Sequence, residues 1–230
     1  MAGRFYAVGV GPGDPELLTL KAVRLIRTCE VVAVPGEQAR ETVAYQIAVQ
    51  ACPELAEREI LAVPMPMTKD PEVLERSHSE AARTVARELD QGRDVAFLTL
   101  GDPTVYATAL YVLQRLEALG YDTEIVSGIP SFCAAAARLG IPLVEKAEEL
   151  HVLPASYQIE AGLALPGTKV LMKAGSKLGQ VRSLLVEQGA DAVMVENCGM
   201  ADERVYHGAQ EIPEQAGYYT LIVVKEGKEK

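Results

Sequence analysis

The chain has 230 residues, enough to bury one large core or two modest ones, and its 49% hydrophobic and 23% charged residues exclude a disordered or fibrous protein. Its 32 acidic residues outnumber 22 basic ones, so the formal net charge is −10 and offers no general attraction for nucleic acid or an anionic membrane. No apolar run approaches the ~18 residues of a membrane span.

The cysteines and histidines point to a cytoplasmic protein without a metal site of its own. Four cysteines and three histidines are scattered without disulfide or metal-ligand spacing, which favours a reducing compartment. The first residues lead directly into a strand-like run, so no signal peptide is expected.

The first predicted strand, Arg4–Val10, runs into the glycine-rich sequence Gly9-Val10-Gly11-Pro12-Gly13-Asp14. Asp14 is predicted to cap a helix whose first residue is Pro15. A second strand, Glu30–Val34, ends at Pro35 and completes a β-loop-α-β unit.

A glycine-rich turn after the first strand also raises the alternative of a dinucleotide-dependent reductase. The dinucleotide fingerprint is G-x-G-x-x-G with an acidic residue at the end of the second strand. Here the spacing is G-x-G-P-G-D, Pro12 has no N–H for a phosphate, and Asp14 would repel one. Glu37 lies beyond the strand end, so the motif argues against a dinucleotide.

The apolar run Val95–Leu100 predicts a strand that is buried on both faces, as in a parallel sheet. It stops at Gly101-Asp102-Pro103, where Asp102 is predicted to cap a helix that begins at Pro103. Ligands of open α/β sheets bind outside the carboxyl ends of strands, so Asp102 is equally a candidate ligand contact. The proline-rich segment 64–71 before this region is predicted to be a connecting loop.

A domain boundary is predicted at Gly120-Tyr121-Asp122, which gives domains 1–119 and 120–230. The second half begins with a strand, Thr123–Val126, and an alanine-rich helix, Phe132–Leu139. Further strands are predicted at 150–153, 169–172, 192–195 and 218–224, with a helix at 177–188 and an antiparallel addition at 203–206. The fold class is therefore α/β, with a mainly parallel N-terminal sheet and a mixed C-terminal sheet.

Three motifs stand in a fixed order: G-V-G-P-G-D-P-E-L-L-T-L-K-A from Gly9, L-G-D-P-T-V-Y from Leu100 and S-G-I-P-S-F-C-A-A-A-A from Ser127. Together with V-E-N-C-G-M from Val195 and Y-Y-T-L-I-V-V near the end, they resemble the tetrapyrrole (precorrin) methylase family. P-M-T-K-D from Pro66 and the V-A-V-P ending of the second strand are most similar to members that methylate C20 of precorrin-2 or its cobalt-bearing counterpart, cobalt-factor II.

The resemblance implies two α/β domains with S-adenosylmethionine, converted to S-adenosylhomocysteine, in the cleft between them, and usually a homodimer. The residues expected at the cofactor are Leu100, Gly101, Asp102, Val105, Tyr106, Ser131, Phe132, Met172, Asn197, Gly199, Met200, Tyr219 and Thr220. The residues expected at the tetrapyrrole are Gly11, Pro12, Gly13, Asp14 and Pro35.

Methyl transfer from a sulfonium needs an aligned nucleophile more than it needs an acid, and orientation can supply up to about 7–11 kcal/mol. C20 must then lose a proton, and Asp102 is the candidate base, although its alternative role is that of a cap. Related siroheme-forming enzymes carry an acid where this chain has Pro35, so that role does not carry over. Arg40, Lys69 and Lys146 are candidate partners of the substrate carboxylates. Methylation of another ring carbon, a reductase and a binding protein without catalysis remain the alternatives.

Overall fold

The computed structural model describes residues 1–66, 68, 70–155 and 159–226. The chain forms two compact units, Met1–Pro130 and Ser131–Lys230, and each is built around one five-stranded sheet.

The first unit alternates strands with helices, as its sequence pattern predicts. Its strands are β1 (Phe5–Gly9), β2 (Val31–Pro35), β3 (Ile60–Val63), β4 (Val95–Thr99) and β5 (Thr123–Val126). Its α-helices are α1 (Leu20–Thr28), α2 (Val43–Ala51), α3 (Pro71–Leu89) and α4 (Ala109–Ala118).

The first sheet is entirely parallel, in the order β3-β2-β4-β1-β5. Its central strand β4 is a continuous apolar run because helices cover both faces. Ala96 and Leu98 point into the core that α1 and α2 cover, whereas Val95 and Phe97 point into the core of α3 and α4. All four side chains are fully buried.

The second unit contains α5 (Ser131–Leu139), β6 (Leu150–Pro154), α6 (Ile159–Leu163), β7 (Thr168–Met172), α7 (Leu178–Glu187), β8 (Asp191–Glu196), β9 (Arg204–His207) and β10 (Thr220–Lys225). Its sheet has the order β6-β7-β10-β8-β9, and β6 and β7 are parallel while the other pairs are antiparallel. One face packs on α6 and α7, and the other packs on α5. The predicted fold class, with one parallel and one mixed sheet, is confirmed.

The division between the units differs from the predicted boundary after residue 119. Strand β5 pairs with β1 in parallel, with Phe5 opposite Thr123 and Val8 opposite Val126. Residues 120–130 therefore belong to the first unit, and the second begins at Ser131. The turn at Gly120-Tyr121-Asp122 connects α4 to β5 within the first unit. A turn sequence alone does not show whether it connects two elements of one unit or links two domains.

Two helix starts also differ from the sequence prediction. Asp14 does cap, since its carboxylate accepts a hydrogen bond from the Glu16 N–H, but it caps a short 3-10 turn, Pro15–Leu17. Helix α1 begins later, capped by Thr19. After β4 the chain makes turns, and α4 begins at Ala109, so Asp102 does not cap it.

Candidate active site

The sequence-predicted site residues of the first unit lie at one edge of its sheet. Because all five strands are parallel, all of their carboxyl ends lie at that edge, which is called the carboxyl edge below. The loop Gly11–Asp14 follows β1, Pro35 ends β2, and Leu100–Tyr106 follows β4. The structure therefore brings the expected substrate loop and the expected cofactor turn together.

Three glycines pack backbone against backbone at the carboxyl edge. A Cβ on Gly9 would lie 2.6 Å from the Gly101 oxygen, and a Cβ on Gly128 would lie 2.1 Å from the same oxygen. Gly11 and Gly101 also exchange two hydrogen bonds, of 3.3 and 2.8 Å. The loops after β1, β4 and β5 are thus in direct contact, and no side chain fits between them.

Asp102 connects two of these loops through its carboxylate, which is 7% exposed. Its Oδ2 accepts a hydrogen bond from the Gly128 N–H at 3.0 Å. Its Oδ1 accepts from the Thr104 N–H at 2.8 Å and from the Thr104 hydroxyl at 2.5 Å. A carboxylate with these partners positions the turn after β4, and Oδ2 keeps a second lone pair for another donor.

The glycine-rich loop after β1 offers few hydrogen-bond donors to an anion. The Gly11 N–H is bonded to the Gly101 oxygen, Pro12 has no N–H, and the Asp14 carboxylate faces the Glu16 N–H. A pyrophosphate site needs free backbone N–H groups at a helix start. This geometry disfavours the dinucleotide alternative and suits a ligand without phosphate.

In the second unit the expected cofactor residues also share one edge of the sheet. At this edge β6, β7 and β8 end while β9 and β10 begin; it is called the Met172 edge below. Met172 lies opposite Leu221 and Pro154, and Thr220 lies opposite Glu196. The loop Asn197–Met200 follows β8 at the same edge.

Side-chain hydrogen bonds hold the loop after β8. Asn197 has a left-handed backbone, with φ +53°, and its Nδ2 donates to Asp202 at 2.7 Å. Its N–H donates to the Tyr219 oxygen at 2.9 Å, which connects the loop to β10. The Gly199 N–H donates to Glu203 at 2.8 Å, and the Met200 N–H donates to the Asn197 oxygen at 2.9 Å.

A buried carboxylate and a buried hydroxyl fix the start of β10. Glu196, 9% exposed, accepts from the Gly217 N–H at 2.7 Å, and the Thr220 hydroxyl donates to the Gly217 oxygen at 2.7 Å. The exposed rings of Tyr218 and Tyr219 meet edge to face, with centroids 5.2 Å apart. Burial raises the pKa of the Tyr219 hydroxyl, so that group stays protonated.

The remaining expected contacts lie on α5 and in the turn after β4. Ser131 begins α5, and Phe132 belongs to the same apolar cluster as Met172 and Cys198. Burial and the charge of Glu203 raise the pKa of the Cys198 thiol to about 11, so this thiol is not a ready nucleophile.

Tyr106, in the turn after β4, has a left-handed backbone with φ +51° and a ring that is 47% exposed. The Val105 N–H donates to the Asp102 oxygen at 3.2 Å, which closes that turn.

Three basic residues were expected to bind substrate carboxylates, and the structure shows a different situation for each. The Arg40 guanidinium donates to the Tyr45 hydroxyl and to the backbone oxygens of Ala56 and Arg58, so it serves the first unit itself. Lys69 lies outside the described residues, and Lys146 is exposed with a left-handed backbone, φ +52°.

Lys173, which follows Met172, also has a left-handed backbone, with φ +57°.

Neither a metal-binding cluster nor a membrane-spanning helix is found in residues 1–66, 68, 70–155 and 159–226. No group of three or more His, Cys, Asp or Glu side chains is arranged to hold a metal ion. None of the helices in these ranges is long and apolar enough to cross a bilayer.

A sequence profile of the tetrapyrrole (corrin/porphyrin) methylases matches residues 4–212. The chain belongs to this family. Among its relatives, a protein of Methanocaldococcus jannaschii named probable cobalt-precorrin-2 C(20)-methyltransferase is 34% identical over 230 residues, covering 98% of this chain and 97% of the relative. A precorrin-2 C(20)-methyltransferase of Sinorhizobium sp is 31% identical, covering 99% of this chain and 97% of the relative.

A solved structure of the family supports the same assignment. The uroporphyrin-III C-methyl transferase of Thermus thermophilus, complexed with S-adenyl homocysteine, has a TM-score of 0.73 and 25% identity, covering 97% of this chain and 98% of that one. The predicted membership of the tetrapyrrole methylases, and with it of the methyltransferases, is confirmed.

Proposed function

We propose that this protein transfers a methyl group from S-adenosylmethionine to C20 of precorrin-2 or of cobalt-factor II, in the synthesis of the corrin ring. The observation that carries the ring position is the similarity, over nearly the full length of both chains, to relatives named for C20 methylation. The local motifs alone leave other ring carbons open.

The carboxyl edge of the first unit fits a sulfonium cofactor better than a phosphate-bearing one. At the carboxyl edge the Gly11 N–H is occupied and the Asp14 and Asp102 carboxylates are present, which would repel a pyrophosphate. When bound, S-adenosylmethionine supplies an activated methyl group to an electron-rich carbon. The proposed cofactor contacts are the thirteen residues named from the resemblance, from Leu100 to Thr220.

The chain's own contribution is to hold the reactants in position. The turn after β4 is fixed by the Gly11–Gly101 bridge and by the carboxylate of Asp102, so its backbone needs little reorganisation when a ligand binds. Fixed orientation of this kind is the largest contribution that such a reaction requires. Gly11, Pro12, Gly13, Asp14 and Pro35 are the proposed tetrapyrrole contacts.

Asp102 is the proposed acceptor of the proton that C20 loses after methylation. Oδ2 accepts one hydrogen bond from Gly128 and has a second lone pair, while Oδ1 accepts two from Thr104. The same carboxylate therefore positions the turn and offers an acceptor oxygen.

The test incubates the pure protein with methyl-labelled cofactor and, separately, with precorrin-2 and cobalt-factor II. We expect NMR to locate the label on C20 of one of them. A label on another carbon refutes the ring position. If NAD(P) raises the melting temperature while S-adenosylhomocysteine does not, the protein is a reductase instead. We also propose that the protein is cytoplasmic and forms a homodimer. Sedimentation equilibrium tests the dimer.

A further inference from the structure

The loop between β8 and β9, residues 197–203, lies at the Met172 edge and includes the proposed cofactor contacts Asn197, Gly199 and Met200. The two strands are antiparallel, with Glu196 opposite Arg204, so the loop closes a hairpin. Hairpin loops commonly have about two to five residues, whose backbone turn fixes their conformation. This longer loop needs further contacts to keep one conformation.

Two consecutive carboxylates supply such contacts. Asp202 accepts a hydrogen bond from the Asn197 Nδ2 at 2.7 Å, and the Glu203 Oε2 accepts one from the Gly199 N–H at 2.8 Å. The Glu203 N–H donates in turn to the Met200 oxygen at 3.1 Å. Glu203 is thus bonded to the loop through both its side chain and its backbone.

Glu203 also connects the loop to α5. Its Oε1 accepts a hydrogen bond from the Arg138 Nε at 2.6 Å, and Arg138 lies in the last turn of α5. Hydrogen bonds between ionised groups are about twice as strong as those between neutral ones. The Glu203 side chain is 13% exposed and that of Arg138 is 63% exposed, so the carboxylate is the more buried member of the pair. One carboxylate therefore serves two donors from different elements.

On its other side the loop is bonded to the segment that leads into β10. The Asn197 N–H donates to the Tyr219 oxygen at 2.9 Å, directly before the first residue of β10. The proposed cofactor contacts of the second unit include the first residues of α5, this loop and the start of β10. The loop joins the other two elements, through Glu203 to α5 and through Asn197 to β10.

We propose that Glu203 is a positioning residue: by accepting hydrogen bonds from Gly199 and from Arg138 at once, its carboxylate keeps the loop after β8 in the conformation that binds the cofactor. This rests on the proposed function, because the cofactor contacts of the loop are proposed there. A loop that is ordered before the ligand arrives does not reduce the affinity by the entropy of its ordering. Glu203 therefore acts through the loop and not by touching the cofactor.

The experiment compares Glu203→Ala and Glu203→Gln with the wild type. It measures the Kd for S-adenosylhomocysteine by calorimetry, the KM for S-adenosylmethionine, the kcat with the tetrapyrrole that the wild type methylates, and the Tm. We expect the Kd of Glu203→Ala to rise about tenfold, which corresponds to a loop that adopts its binding conformation about one tenth of the time. The KM should rise equally, while kcat at saturating cofactor stays within about twofold of the wild type, because bound cofactor orders the loop again.

Two further variants test the route through the carboxylate. Glu203→Gln keeps an oxygen for the Gly199 N–H but loses the charge that attracts Arg138, so its Kd should lie between those of the wild type and Glu203→Ala. Arg138→Met removes an exposed partner and should raise the Kd by about fivefold at most. Arg138→Met combined with Glu203→Ala should bind as Glu203→Ala does, because both changes act through one carboxylate. Additive losses would contradict that route.

Glu148 is the matched control at the opposite edge of the same sheet. Its carboxylate also accepts from more than one side chain, from the Thr168 hydroxyl at 2.7 Å and from Lys225 at 3.1 Å, and its side chain is 18% exposed. Thr168 begins β7 and Lys225 ends β10, whereas the Met172 edge has the end of β7 and the start of β10. Glu148→Ala should therefore lower the Tm while the Kd and the KM stay at their wild-type values.

The Cys198 thiol, within the loop, gives a readout that does not depend on turnover. Burial and the charge of Glu203 raise the pKa of this thiol to about 11, which slows its alkylation because only the thiolate reacts. Glu203→Ala and Glu203→Gln both lack that charge, so a difference between them reports on the loop itself. We expect Cys198 to react with iodoacetamide faster in Glu203→Ala than in Glu203→Gln, as measured by mass spectrometry.

The outcomes separate this assignment from a purely structural role and from the proposed function. Wild-type Kd and KM values in Glu203→Ala, with a lowered Tm, would show that Glu203 only stabilises the fold and would overturn the assignment. If Glu203→Ala does not fold, Glu203→Gln decides instead, since a wild-type Kd in that variant also overturns it. A wild-type protein that binds S-adenosylhomocysteine but methylates neither tetrapyrrole refutes the proposed reaction and leaves this assignment standing. A wild-type protein that does not bind S-adenosylhomocysteine refutes both.

Discussion

The carboxyl edge of the first sheet and the Met172 edge of the second sheet are built in different ways. At the carboxyl edge of the first sheet, backbone meets backbone, and Gly9, Gly101 and Gly128 leave no room for a Cβ. At the Met172 edge, the loops are held by side chains such as Asn197 and Glu196.

The strand directions explain the difference. Five parallel strands all end at one edge, so their loops crowd together. In the mixed sheet, the ends of β6, β7 and β8 share an edge with the starts of β9 and β10, and side-chain hydrogen bonds hold the loops there. We therefore expect added side-chain volume to destabilise the carboxyl edge, and the loss of polar side-chain groups to destabilise the Met172 edge.

The largest expected effect is that of Gly128→Ala. The new Cβ would lie 2.1 Å from the Gly101 oxygen, and backbone cannot give way as a flexible side chain can. We expect a loss of about 3 kcal/mol or more in the free energy of unfolding, or no folded protein. Urea unfolding measures it.

Gly179→Ala in α7 is the control for that substitution. Its new Cβ would have no neighbour closer than 3.5 Å, and alanine favours a helix by about 1 kcal/mol over glycine. This variant should be as stable as the wild type or more so. Equal losses in both variants would contradict the backbone crowding at the carboxyl edge.

Asp102→Asn tests the polar connection of the first edge. If the carboxylate accepts the C20 proton, kcat falls by about 10²-fold or more while the Kd for S-adenosylhomocysteine stays unchanged. If Asp102 only positions the turn, the Kd rises together with the loss of kcat, and the Tm falls. Wild-type values of all three would refute both roles.

Thr220→Val tests the polar contacts of the second edge. The substitution keeps the volume but removes the donor to the Gly217 oxygen, a part-buried hydrogen bond, so the free energy of unfolding should fall by about 1 kcal/mol. Thr220→Ser keeps the hydroxyl and should lose less. A smaller loss of stability in the valine variant than in the serine variant would show that the methyl group of Thr220 contributes more to stability than its hydroxyl.

The smallest expected effect is a different response of the two units to acid. In the first unit, burial and the charge of Arg115 lower the pKa of His78 from its ordinary 6.5. The unfolded chain therefore binds this proton more readily, and the stability that neutral His78 provides, complete above about pH 6.5, is lost as the pH falls through the lowered value. In the second unit, the Thr168 hydroxyl lowers the pKa of Glu148 from 4.5, so that stability is lost only in stronger acid.

The measurement compares the Tm of the wild type and of His78→Phe at about pH 7 and pH 5.5, where His78 titrates before Glu148. Phenylalanine keeps the stacking on Tyr111, whose ring centroid is 4.6 Å away. The wild type should lose at most roughly 2–4 °C more than the variant, the shift that about 1 kcal/mol causes in a chain of this size. An identical loss in both would show that His78 does not contribute.

The sequence located most of the strands because the buried ones are unbroken apolar runs. Strand β5 was predicted at its observed bounds, Thr123–Val126, but the predicted boundary separated it from β1, with which it pairs. Its residues carry the strand propensity, but its partner β1 lies more than a hundred positions away in the chain. Pairing over that distance leaves no local signal.

The motifs of the sequence likewise indicate the family and the segments of the site without any knowledge of the fold. The tertiary structure alone showed what the Asp102 carboxylate binds, since the Gly128 N–H that donates to it is distant in sequence. It alone also showed the left-handed backbone of Lys173, which surrounding contacts impose against the preference of the residue. Backbone preference and hydrophobic pattern depend on neighbouring residues in the sequence, so the sequence shows them. Hydrogen bonds and backbone strain at a site depend on which loops the fold brings together.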